Sequence, residues 1–183
     1  MRGISVQIGH SMTEILVSVS ILSGVVAVAA PPMADMIEKV RLRGGMLAIT
    51  QGLNLARAEG IRRNGRVVIC KSSGGNRCTT DGSWDQGWII FHDPNNNGDV
   101  DAGEAVLYRE PAMTGRIRLY GNQPVQSYVS YTSFGKAKLF RDGFQAGHFT
   151  VCAQSANPTA AYLVYVDRLG SPRVEKATVP FCA

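Results

Sequence analysis

The sixteen residues from Ile15 to Ala30 carry no charge, and this run constrains the chain more than any other feature. As a helix it is about 24 Å long, a little short of a hydrocarbon core of about 30 Å. Continuing through Met33, Met36 and Ile37 supplies the missing length. A secretory signal is the simplest reading of an apolar stretch this close to the N-terminus. Glu14 argues against it, because it opens the run where such a signal carries no acid. The sequence beyond Ala30 also passes into a helix-like pattern rather than a polar loop. An acidic side chain at mid-membrane costs about 2.5–3.5 kcal/mol, so Glu14 calls for an amine nearby. Cleavage after Gly9 would place a new amino group on His10, one helical turn from Glu14.

Pro31 and Pro32 remove two backbone donors and are expected to kink or briefly melt the helix. Beyond them Leu42, Met46, Ile49, Leu53 and Ala56 recur along one face of an amphipathic helix. Asn64-Gly65 is its stop signal. The period then changes to two. Stretches 66–70, 87–92, 105–109, 116–120, 127–131, 148–152 and 161–166 read as strands separated by Gly, Asn, Asp and Pro turns. One helical segment followed by many short strands predicts an α+β fold, an antiparallel sheet packed on the second half of a long N-terminal helix. Strands and helices do not alternate, which excludes a doubly wound nucleotide fold. With 18% charged and 45% hydrophobic residues, a disordered chain or a charged coiled coil is also excluded.

Gly9-His10-Ser11-Met12-Thr13-Glu14, followed by the apolar run, resembles the class III signal of type IV prepilins and pseudopilins. Leu53-Asn-Leu-Ala-Arg57-Ala-Glu59-Gly60-Ile-Arg62-Arg63 before the first strand resembles the GspH/FimT branch of that superfamily, with Gly60 in place of the usual Ala. The tract Trp84-Asp-Gln-Gly-Trp88-Ile-Ile-Phe91, with the Asp/Asn-rich turn and Gly103-Glu104 after it, has the same character. His10 and Thr13 depart from the family's usual Phe and aliphatic residue.

The resemblance implies the pilin fold in three segments. Residues 1–9 would be a prepilin leader, 10–38 a transmembrane and filament-core helix, and 39–183 a periplasmic head, with an amphipathic helix at 39–64 and strands over 66–183. A membrane peptidase would cut between Gly9 and His10 and N-methylate His10, and Glu14 would assist assembly. The implied role is a structural minor pilin of a type IV pilus that helps initiate or cap the filament. The alternatives are a DNA-binding minor pilin of natural transformation and a type II secretion pseudopilin. Implied partners are major and minor pilins, the prepilin peptidase and an inner-membrane assembly platform. The implied location is the inner membrane, single-pass, with the head in the periplasm.

Four cysteines allow three pairings. Cys70–Cys78 and Cys152–Cys182 are preferred, because each ties down a loop or tail, and disulfides agree with an oxidising compartment. No Cys-x-x-Cys or His-rich zinc pattern is present, nor any nucleophile elbow or phosphate loop, so no enzyme is indicated and no cofactor is required. One string suggests calcium. Asp93, Asn95, Asn97, Asp99, Asp101 and Glu104 stand at the oxygen-donor positions of a calcium-loop template, with Gly98 at the sharp turn. The competing reading is a solvated turn between strands.

Charge is unevenly spread within a net +5. Seven Lys/Arg fall between Lys39 and Arg66, and six acidic residues between Asp81 and Glu104, a layout that suits a bipolar head. Gly115-Arg116-Ile-Arg118 matches by string a motif of DNA-uptake members, although it lies mid-chain. Arg116, Arg118, Arg168 and Arg173 are therefore the candidate phosphate contacts for a DNA partner, against the plainer reading of a solvated strand face.

Overall fold

The computed structural model describes residues 11–154 and 158–182. Helix α1 spans Met12–Arg63 and is followed by eight strands. The chain divides into two compact units, Met1–Lys39 and Val40–Ala183.

In the first unit, α1 begins with Glu14 N and Ile15 N donating to the Ser11 carbonyl at 3.0 and 3.2 Å. The eight large apolar residues from Ile15 to Val26 are each more than half exposed. The polar residues among them are satisfied locally. Ser18 and Ser20 donate to the carbonyls of Glu14 and Leu16, four residues back, and Ser23 to that of Ser20. The helix continues through residues 31 and 32, so the prolines do not melt it. Among the described residues no helix is long and apolar enough to cross a membrane. Side chains 27–32 and 34, in the second half of the expected span, lie outside the described residues.

In the second unit the predicted stripe is the buried face of α1. Leu42, Met46, Ile49, Leu53 and Ala56 are all within the core. The helix ends as its sequence dictates. Asn64 takes a positive φ of 50°, and Gly65 N reaches back to the Gly60 carbonyl at 3.1 Å, capping the last carbonyls.

The strands form two antiparallel sheets, where one was expected. The first has the order β3-β2-β1-β5, built from Val106–Glu110, Trp88–His92, Val67–Lys71 and Tyr128–Tyr131. The second has the order β4-β6-β7-β8, built from Ile117–Gly121, Gly147–Ala153, Thr159–Val166 and Pro172–Val179. The division arises because β5 returns to β1 rather than pairing with its predecessor β4. Strand β8 was missed. It lies at the sheet edge, mostly exposed, and its charged residues hide the period of two. A short 3-10 turn, Trp84–Gln86, places Trp84 in the core. The Trp84 indole N–H donates to the carbonyls of Val125 and Gln126, and its ring meets Phe149 edge-on at 5.0 Å. Both tryptophans are fully buried.

Candidate functional site

The expected processing residues Gly9 and His10 lie outside the described residues. Glu14 occupies the first turn of α1, where the positive end of the helix dipole favours an acid.

The cysteines pair as expected. Cys70 bonds Cys78 across a separation of 8 residues and Cys152 bonds Cys182 across 30, with Cα–Cα distances of 5.6 and 5.8 Å. The first bridge closes a loop that also rests on a buried lysine. Lys71 is 2% exposed, and its ammonium donates to the carbonyls of Thr80 at 2.7 Å and Gly82 at 2.9 Å. Burial holds its pKa below the ordinary value. Nothing in the sequence marked Lys71, since a lysine at the end of an apolar strand normally points to solvent.

Segment 93–104 is a turn held by its own side chains. Asp93 is fully buried, and its two carboxylate oxygens accept the backbone N–H groups of Asn97 at 3.1 Å and Gly98 at 3.0 Å. Asn95 and Asn97 each direct an amide N–H₂ to the same Asp101 oxygen at 2.7 Å, and Glu104 accepts Asp101 N at 3.1 Å. Asn96, at a positive φ of 58°, ties the turn to the Phe140 carbonyl at 3.0 Å. Asp99 contributes its N–H to the Asn97 side chain at 2.8 Å. Among the described residues no three His, Cys, Asp or Glu side chains form a group that could hold a metal ion.

The four candidate arginines fall into two separate pairs. Arg116 and Arg118 flank and occupy β4, at one edge of the second sheet. Arg168 and Arg173 belong to the β7–β8 hairpin at the other edge. Three strand spacings, about 14 Å, separate the two edges. Arg118 pairs in register with Cys152, whereas Arg173 pairs with Tyr165, which sits opposite His148. The pairs are thus displaced along the strands as well. Arg118 is already committed, its guanidinium lying 3.0 Å from Asp85. Arg173 lies 3.4 Å from Glu175 and over the Tyr165 ring at 5.6 Å. The basic helix end and the acidic turn are also neighbours rather than opposite poles, since Asp93 N donates to the Arg66 carbonyl at 2.9 Å.

The helix end carries a cluster that the sequence did not reveal as a site. Arg57 Nε donates to the Gly135 carbonyl at 3.0 Å, joining residues 78 apart. Glu59 accepts from Arg62 and Arg63, and these hydrogen bonds hold its carboxyl below the usual range. Tyr131 is fully buried, and burial pushes its phenol above the usual range, so it stays protonated. A pocket of about 390 Å³ opens beside these residues, lined by Arg66, Thr132, Ser133, Phe134, Lys136 and Lys138 among others.

The head's sequence, from the second half of α1 to the β7–β8 turn, matches one family profile. That of the family described as "Type II transport protein GspH" covers residues 47–170, more than half of the chain. The chain belongs to the GspH family. In structure it is similar to the type IV minor pilin FimU of Pseudomonas aeruginosa (strain PAO1) in two crystal forms. One, in space group P21, gives a TM-score of 0.58 at 14% identity, covering 81% of this chain and 99% of that one. The other, in space group P65, gives 0.52 at 12% identity, covering 77% and 99%. No curated protein matches the sequence. The family is thus one of type II transport, and the fold is that of a type IV minor pilin.

Proposed function

We propose that the chain is a minor pilin of a type IV pilus that helps initiate or cap filament assembly. The observation that carries this is the apolar first part of α1. Its large residues from Ile15 to Val26 stand exposed, and its serines are bonded internally to the helix backbone. A helix segment that is apolar on all sides needs lipid or other helices around it, and internally satisfied hydroxyls cost little in either surrounding. In this reading residues 10–38 anchor the prepilin in the inner membrane, with the head in the periplasm, and then enter the filament core. The leader is removed between Gly9 and His10 by a prepilin peptidase that also methylates His10. Glu14 then pairs with an amine as the subunit docks on the assembly platform beside other pilins.

Intact mass spectrometry of the membrane-extracted protein tests the reading. The expected mature chain starts at methylated His10, and a start near Ala30 would refute it. Glu14→Ala is expected to leave cleavage intact and deplete the chain from sheared filaments, as read by immunoblot. A pseudopilin of a type II secretion system is the second reading, favoured by the description of the matched family. Loss of secreted enzymes from the medium on deletion, with filaments unaffected, would select it.

A further inference from the structure

Three segments meet at the C-terminal end of α1: the helix end itself, the loop 132–144 and the β7–β8 turn. The loop is fixed at several points. Gly135 N donates to the Thr132 carbonyl at 2.9 Å, closing a tight turn with Phe134 at its tip and Gly135 at a positive φ of 68°. A Cβ on Gly135 would sit 2.8 Å from Ile61 Cδ1, and one on Gly170 would sit 2.2 Å from the Gly135 carbonyl oxygen. The helix end and the β7–β8 turn therefore clamp the loop between them. Residue pairs Tyr131–Ala137 and Lys138–Phe144 bridge across it, and fully buried Gln145 anchors its end by accepting Ser130 N at 2.9 Å.

This fixed platform holds apolar side chains out of the protein. Phe134 is 82% exposed, Phe144 68%, Leu169 61% and Ile61 50%. Basic groups surround them. Arg66 and Lys138 share Asp142 at 3.5 Å, and the Arg168 guanidinium lies 5.9 Å from the centre of the Phe144 ring. Lys136 and Arg141 have no carboxylate within ion-pair distance among the described residues. Asp142 and Asp167 also stand at the rim, Asp167 accepting Leu169 N at 2.9 Å, so the patch is apolar at its centre and net positive around it.

We propose that this end of the head is the docking surface for the head of a second pilin, one that presents an apolar patch edged by aspartates or glutamates. The proposal rests on the minor-pilin reading above. Aromatic and aliphatic anchors ringed by arginine are the composition of a protein interface. A nucleic-acid strand would use the cations for its phosphates and the rings of Phe134 and Phe144 for stacking. Leu169 and Ile61, however, are exposed aliphatic groups with no ring to stack on a base, and a protein surface covers them where a nucleic acid would leave them in water. A rigid presentation also removes ordering cost from association. The rim cations Lys136 and Arg141 set the sign of the partner, because like charges facing across an interface would repel.

The test uses the full chain in filament-forming cells. A photo-crosslinking benzoyl-phenylalanine replaces Phe134, and in a control replaces Tyr108, a partly exposed residue of β3. Irradiation is expected to join the Phe134 probe to a chain with an apolar N-terminal helix, at a peptide containing Asp or Glu. Lys136→Glu is expected to lower that adduct about tenfold, and reversing the partner's acidic residue to Lys to restore it. Three results would overturn the proposal while the chain is still found in sheared filaments: no adduct at Phe134, equal adduct at Tyr108, or an adduct removed by nuclease. Absence of the chain from filaments in every variant would instead remove the minor-pilin reading, and the proposal with it.

Discussion

The two disulfides are expected to differ in what they contribute, and the difference follows from the loops they close. Constraint of the unfolded chain grows with loop size, giving about 3.6 kcal/mol for the 30-residue separation of Cys152–Cys182 and about 2.5 kcal/mol for the 8-residue separation of Cys70–Cys78. The native state widens the gap. When Cys70–Cys78 is removed, the Lys71 ammonium still holds the loop through the carbonyls of Thr80 and Gly82. The tail after β8 has no comparable second anchor among the described side-chain hydrogen bonds. The double variant Cys152→Ser/Cys182→Ser should therefore lose about 3–4 kcal/mol, and Cys70→Ser/Cys78→Ser about 2 kcal/mol. Urea unfolding of the detergent-extracted full chain measures both. Its intrinsic tryptophan fluorescence reports the head alone, since the only two tryptophans, Trp84 and Trp88, are both buried there. Equal losses, or a larger loss from Cys70–Cys78, would refute the loop-size argument.

Lys71→Met is expected to cost about 2 kcal/mol by leaving two carbonyls unpaired. It should also change the pH dependence. The folded lysine titrates below its ordinary 10.5, so between the two pKa values the unfolded chain binds more protons and wild-type stability rises with pH. Lys71→Met should lack that rise in urea titrations across the alkaline range. Asp93→Ala should cost about 3 kcal/mol, because a buried carboxylate that accepts two backbone N–H groups is lost. The same turn is expected to hold its shape without a cation. EDTA should leave the melting temperature unchanged, and a fall reversed by calcium would show Asn95 and Asn97 turning their oxygens inward. Arg118→Ala should destabilise the head by about 1–2 kcal/mol through the loss of its partner on Asp85, as read by the same urea titration.

Local pattern was legible wherever it had a period. The stripe from Leu42 to Ala56 is buried in the expected register, and seven of the eight strands lie where alternation placed them. The division into two sheets was not legible. It depends on β5 pairing with β1 across more than fifty residues, and such a pairing leaves no local signal. Strand β8 escaped for the opposite reason, because an edge strand bearing Arg173, Glu175 and Lys176 has little apolar face to show. The arginines of the Gly-Arg-Ile-Arg string were visible as residues, but their partners were not. Only the fold brings Asp85 of the 3-10 turn to Arg118.

The stretch before the first strand shows how a motif can be readable while its purpose is not. In sequence, Arg57, Glu59, Arg62 and Arg63 look like the solvated face of a helix whose other face holds Leu53 and Ala56. In the fold that face is a mount. Arg57 is bonded to the Gly135 carbonyl, and a Cβ on Gly60 would meet the Thr132 carbonyl oxygen at 3.1 Å. An alanine at Gly60 would therefore press on the loop backbone, which comes close to the helix here. One residue past Asn64, a Cβ on Gly65 would sit 2.7 Å from His92 Nε2, so β2 also closes on the helix terminus. Glu59 holds Arg62 and Arg63 back along the helix. Arg57 therefore positions a neighbouring segment, which presents Phe134 outward. A charged helix face that fixes a loop through one of its arginines is a reason to look for function one layer further out, on the loop it carries.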